Sequence, residues 1–169
     1  MEPFLVLSDS DIFESPHPKP RFYTMRRAVT GVVRDQEGKI ALFKKDGLGF
    51  FPSIVVPKNH DELRVFAELC QKALGCDVTG RLVLGRVTQK RHMTAKYYDI
   101  FVIVADLAGE KKHIPPDEEM GELVWMDEHE LQELLVTQVV SLPKEDVYAP
   151  HFNSRMCLKI LEGYSAIEK

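Results

Sequence analysis

The stretch from Asp61 to Gly75 constrains this chain most, because both ends of a helix are written into it. The Asp61 carboxylate can accept from amides left unpaired in a first helical turn, and Gly75 tolerates the left-handed backbone that closes a last one. Between them Phe66, Leu69, Cys70 and Ala73 recur at spacings of three and four. That spacing predicts a helix over 61–74 with one apolar stripe. Such a stripe has to be buried against another element, and the flanking sequence reads as strands.

Upstream, residues 28–34 and 39–45 are aliphatic and β-branched, and Asp35-Gln36-Glu37-Gly38 between them is turn-like, so a hairpin is expected. Downstream, 78–87 and 97–107 read as strands, the second holding the unbroken apolar run 100–105 of a strand covered on both faces. A polar loop is expected over 89–96. Glu122-Leu123-Val124-Trp125-Met126 predicts a short strand, Asp127 caps a helix over 128–135, and a last helix covers 153–161. Residues 46–60, with Gly47, Gly49, Pro52 and Pro57, read as loop. Residues 1–24, with Pro3, Pro16, Pro18 and Pro20, read as an extended lead-in rather than a helix, placed to wrap the domain or meet a second copy in a homodimer. Strands interleaved with isolated helices imply an α/β sandwich, its mixed sheet covered by the 61–74 helix on one side and by C-terminal helices on the other.

A chain of 169 residues suits one folding unit. It divides into the lead-in (1–24), a main domain (25–136) and a C-terminal extension (137–169) packed on the same core. The net charge of −4, without a long basic run, gives no general attraction to DNA or to anionic lipid. No apolar stretch reaches membrane-span length and the first residues lack a basic start, so a cytoplasmic protein is expected. Cys70, Cys76 and Cys157 lack any ligand spacing and read as reduced thiols, with Cys70 buried.

The order of these elements, together with Arg27-Ala28-Val29, Gly31-Val32-Val33, Asp35, Gly38-Lys39-Ile40 and the closing Glu122-Leu123-Val124-Trp125-Met126-Asp127 with Glu130-Leu131, resembles the Nudix superfamily over residues 25–136. The resemblance implies a Nudix-like α/β/α sandwich. It also implies a box: Gly, five residues, Glu, seven residues, Arg-Glu, an apolar residue, any residue, Glu-Glu, any residue, Gly and an apolar residue. With Gly75 as the second glycine, the first glycine falls on Ile54, the first glutamate on His60, Arg-Glu on Glu68 and Leu69, and Glu-Glu on Lys72 and Ala73. Cys70 and Cys76 take the apolar places. The frame is retained and the ligands are not.

In that family the helix glutamates hold Mg²⁺ or Mn²⁺, which neutralises a diphosphate and activates water. Positions 69, 72 and 73 stand at i, i+3 and i+4 and would converge on one metal cluster. Here they offer a leucine, an ammonium and a methyl group, so no metal and no cofactor is expected. Leu69 and Ala73 read as core and Lys72 as a surface lysine; the sharper alternative makes Lys72 a fixed cation in place of the metal. Relocated carboxylates are the other alternative, with Glu68, Glu118, Glu119 and Glu122 the candidates and Mg²⁺ or Mn²⁺ then required. Glu62 and Glu68 lie six residues apart, which projects them about 120° from each other on a helix. Lys44, Arg91 and Lys96, with Lys45, Lys90 and His92, are candidates for phosphate recognition. Three functions remain open: a non-hydrolytic binder of a nucleotide-like or phosphorylated ligand or of a partner protein, a metal-dependent Nudix pyrophosphohydrolase, and a structural or interaction module.

Overall fold

Period-two alternation organises the molecule, seen in a computed structural model that describes residues 2–143 and 148–168. Strand β2 (Thr24–Arg34) sends Ala28 and Val32 to one face and Val29 and Val33 to the other. Strand β3 (Ile40–Lys45) does the same with Ile40 and Leu42 against Ala41 and Phe43, and β7 (Lys96–Leu107) with Ile100, Val102 and Val104 against Ile103 and Ala105. The apolar runs are continuous because both faces of the sheet are covered.

The remaining strands are β1 (Leu5–Ser8), β4 (Leu48–Phe50), β5 (Ser53–Val55), β6 (Val78–Arg91) and β8 (Glu122–Met126). The order is β1-β6-β7-β2-β3-β4, with β5 added on β2 and β8 on β3. Strands β2 and β7 are parallel along the whole of β2, from Thr24 opposite Lys96 to Arg34 opposite Asp106. Strands β1 and β6 are also parallel and the other pairs antiparallel, so the sheet is mixed as expected. Helix α2 (Glu62–Leu74) covers one face; α3 (Glu128–Ser141) and α4 (Tyr148–Glu168) cover the other.

Helix α2 has the ends the sequence predicts. Arg64 N–H donates to the Asp61 carboxylate at 3.0 Å, and Gly75 closes the helix in the left-handed region at φ 71°. Its Phe66 is fully buried above Gly31, where an added Cβ would come within 2.5 Å of both the Phe66 ring and the Ile103 carbonyl. The helix lies so close to β2 that only glycine fits there.

Several expected boundaries change. The loop over 46–60 contains β4 and β5, whose side chains line a cleft rather than a core face and so lack the alternation of a half-buried strand. The loop over 89–96 is mostly strand, with a turn only at 92–95, because its polar residues point into a buried hydrogen-bond cluster. Helix α3 continues past residue 135 through a β-branched run, held by buried Gln138, and α4 begins earlier than 153 because Pro150 sits in its first turn, where a missing N–H is harmless. The lead-in is extended at β1 but turns into a short helix, α1 (Asp9–Ile12), contrary to the reading of 1–24 as free of helix. Asp11 caps it by accepting from the Ser8 amide at 2.7 Å, and Leu7 and Ile12 enter the same core as Phe152 and Ile160 of α4.

Candidate ligand-binding cleft

On the α4 side of the sheet lies a cleft of about 500 Å³. Ala28, Tyr98 and Ile100 contribute from β2 and β7, Phe50 and Ile54 from β4 and β5, and Asn153, Met156 and Cys157 from α4. Strand β4 is held in place by Gln138: Gly49 N–H donates to its Oε1 at 2.7 Å, and its Nε2 donates to the Gly49 carbonyl at 3.0 Å and to Ser154 Oγ at 2.8 Å. One buried amide thus ties β4, α3 and α4 together around the opening.

Arg91, at the end of β6, is the main charge at the β6–α4 end. Its guanidinium carbon lies 4.6 Å from the centre of the Tyr98 ring and 5.4 Å from that of Phe152. Its Nη2 donates to Gln89 Oε1 at 2.6 Å and to Asn153 Oδ1 at 3.1 Å, and its Nε donates to Gln89 Oε1 at 3.1 Å. Burial lowers its pKa, opposed by Tyr98 and Tyr148, but an arginine starts high enough to stay charged. Among the described residues no carboxylate pairs with it.

The wall behind Arg91 is fixed by a second cluster. Asp9 of α1, fully buried, accepts from the Tyr148 hydroxyl and, at 2.9 Å, from the His92 amide. Tyr148 stacks on Phe13 with centroids 5.3 Å apart, and burial, followed by its bond to Asp9, raises its pKa well above that of a free phenol. The lead-in, the β6–β7 turn and the start of α4 are locked to one another. Cys157, on the cleft wall, is pushed up to about 12 by burial and is no nucleophile at neutral pH.

The α2 face is different. Leu69 and Ala73 are buried in the core with Val65 and Phe66. Lys72 is exposed and lies on the side of Asp117, whose carboxyl is held below its ordinary value by the Glu119 and Met120 amides first and by Lys72 and Lys45 after them. Glu62 pairs with Arg27, and exposed Glu68 with Arg64 at 3.1 Å, so neither carboxylate turns to a shared point. His60 is exposed, its Nδ1 3.1 Å from the Lys58 carbonyl. The donor set does not suit a hard dication, which needs several converging oxygens. Among the described residues no three His, Cys, Asp or Glu side chains cluster as metal ligands would.

Of the predicted site residues, the cleft gathers Lys45, Ile54, Arg91 and Glu119. Glu118 and Glu122 are exposed, and Lys44, half-buried, pairs in register with Glu122 across β3 and β8. Lys96 sits beyond the β6–β7 turn, opposite Arg91 in register, and does not line the cleft. Sequence reasoning missed Gln89, Tyr98 and Asn153. The signal for Gln89 was alternation from Gln89 through Arg91, hidden by reading 89–96 as loop; Tyr98 and Asn153 lie in an expected strand and an expected helix and carried no signal of their own.

A mixed sheet between helical layers, with an open cleft beside a half-buried arginine, defines a class: an α/β/α sandwich. Solved structures make it specific. The chain is similar to a Nudix hydrolase from Nitrosomonas europaea at a TM-score of 0.64 and 10% identity, covering 86% of this chain and 92% of that one. It is similar to the E. coli ORF135 protein at 0.59 and 18% identity (86% and 92% covered), and to the MutT protein from Methanosarcina mazei Go1 at 0.56 and 13% identity (87% and 97% covered). No family model and no curated protein matches the sequence. The chain has the Nudix fold.

Proposed function

We propose that this chain is a Nudix-fold protein without the family's metal chemistry, a non-hydrolytic binder that holds a nucleotide-like or phosphorylated small molecule in the cleft between β5 and α4. The observation that carries this reading is the contrast between helix and cleft: the carboxylate positions of α2 hold buried Leu69 and Ala73 and exposed Lys72, while a cleft of about 500 Å³ stays open on the α4 side of the sheet. A cleft of that size, mostly apolar with a few placed polar groups, has the make-up of a small-molecule site. Hydrolysis of a diphosphate needs converging oxygen ligands for a dication, and nothing on α2 supplies them.

A second reading draws on Glu119, the one predicted relocated carboxylate that lines the cleft. Its backbone carbonyl accepts from Lys45 Nζ at 3.2 Å, which fixes the loop at that point. Titrating the protein with ADP, ATP and ADP-ribose, each with and without Mg²⁺ or Mn²⁺, separates the two. Saturable binding without product formation supports the binder. Metal-dependent turnover that disappears in Glu119→Gln supports a hydrolase with a displaced carboxylate.

A further inference from the structure

Resting on the reading that the cleft holds a small ligand, we infer that Arg91 anchors that ligand by a terminal anionic group, a carboxylate or a phosphate, at the β6–α4 end of the cleft. The ligand's buried charge then lies away from the α2 face, where the fold's diphosphate chemistry would be expected.

Among the described residues no carboxylate pairs with Arg91. Arg91 is half-buried between the faces of Tyr98 and Phe152, and its hydrogen-bond partners, Gln89 Oε1 and Asn153 Oδ1, are neutral. A cation withdrawn from water is ordinarily paired with an anion. Here the lining carboxylates, Asp46 and Glu119, come from the β3–β4 turn and the loop before β8, across β2 from Arg91 in strand order.

Gln89 is fully buried and holds Nε and Nη2 of Arg91, and the two rings hold the guanidinium plane. Among the described residues Nη1 makes no hydrogen bond, so the fork is fixed with donors to spare. Gln89 and Asn153 both turn carbonyl oxygens to Arg91, and Asn153 keeps its Nδ2 as another donor at the cleft wall. This end of the cleft therefore offers N–H groups around one positive charge. An acceptor-rich anion is complementary to it, and a neutral or cationic group is not.

Two matched pairs test the inference: AMP against adenosine for a phosphate, and 2-naphthoate against 2-naphthamide for a carboxylate, by calorimetry and thermal stabilisation at constant ionic strength. The account expects the anion of at least one pair to bind roughly tenfold or more tighter than its neutral partner. Arg91→Gln should lower anion affinity roughly tenfold to a hundredfold and leave the neutral compound nearly unchanged. Asn153→Asp tests the same point without removing the guanidinium, since it places a carboxylate where Oδ1 now stands 3.1 Å from Nη2. It should abolish the preference even if Arg91→Gln fails to fold. Ile54→Trp, which fills the cleft from β5, should block every member of the panel. Equal binding of anion and neutral partner in both pairs, blocked by Ile54→Trp, overturns the Arg91 anchor and leaves the cleft reading standing. No binding of any compound overturns both.

Discussion

The two faces of the sheet are built from the same strands yet end in opposite states. On the α2 face the helix presses against β2 until only glycine fits at position 31, and Leu69 and Ala73 are packed into the core. On the α4 face Gln138 ties β4 to α3 and α4, and a cleft lined by Ile54, Asn153 and Met156 remains between β5 and α4. The difference teaches that a sheet can be sealed on one face by packing and stay open on the other, because alternation along a strand makes the two faces chemically independent.

The sealed face should be broken most readily at its centre. Phe66→Ala should destabilise the protein by about 3–5 kcal/mol, the ordinary result of emptying a fully buried aromatic site, read as a fall in the urea midpoint. A loss under about 1 kcal/mol would mean that α2 is not sealed against β2.

On the open face the corresponding weak point is polar. Gln138→Ala would strip the Gly49 N–H and carbonyl of their partners and should cost about 1–3 kcal/mol in the same assay. It should also weaken ligand binding, since β4 then loses its tie to α3 and α4. Unchanged affinity would show that β4 does not shape the cleft.

A smaller effect is expected at the rim of the sealed face. There Lys111 pairs with the nearly buried Asp35 at 2.8 Å and stands 5.5 Å from the centre of the Trp125 ring. Burial alone would raise the Asp35 carboxyl, but the Lys111 ammonium and the Lys39 and Glu37 amides outweigh it and hold the carboxyl below its ordinary value. The hydrogen bond to Asp35 raises Lys111. Asp35 therefore contributes stability above the unfolded carboxylate pKa of about 3.9, lost as pH falls through its lower folded value. Lys111 contributes below about 10.4, lost as pH rises through its higher folded value. Lys111→Met should cost ~1 kcal/mol near neutrality, since the lysine is partly exposed and Asp35 keeps its amide bonds. The difference from wild type should be flat across neutral pH and shrink at both extremes. A difference that grows toward acid would contradict the assignment.

The smallest expected effect is at Lys72. The reading that makes it a stand-in for the metal requires a large affinity loss on removal. An exposed lysine outside the cleft lining instead predicts that Lys72→Ala changes stability by less than about 0.5 kcal/mol and affinity by less than about threefold. A tenfold loss would move the anion site from Arg91 to α2.

Most of the architecture was legible because it rests on periodicity and punctuation. The Asp61 cap, the Gly75 stop and the run from Ile100 to Ala105 each report a local rule that tertiary contacts then reinforced. The burial of Leu69 and Ala73 was legible too, from their place on the apolar stripe of α2. The cleft was much less so. Arg91 was among several cations proposed, but its partners Gln89 and Asn153 lie 64 residues apart in sequence and meet only when α4 crosses β6. Polar residues facing a buried cluster look, in sequence, like a solvated loop, which is why 89–96 reads as loop although most of it is strand. Strands β4 and β5 were hidden for a related reason: each is three residues long and faces a cavity.

Binding and chemistry measured on the same sample test the central claim most directly. Calorimetry with AMP and ADP should be run beside chromatographic analysis of the ADP mixture after long incubation with Mg²⁺ or Mn²⁺. The account predicts saturable binding that is weakened roughly tenfold or more by Arg91→Gln, with ADP recovered intact and no metal site tighter than about millimolar. Metal-dependent conversion of ADP, with a micromolar metal site lost in Glu119→Gln, would contradict it.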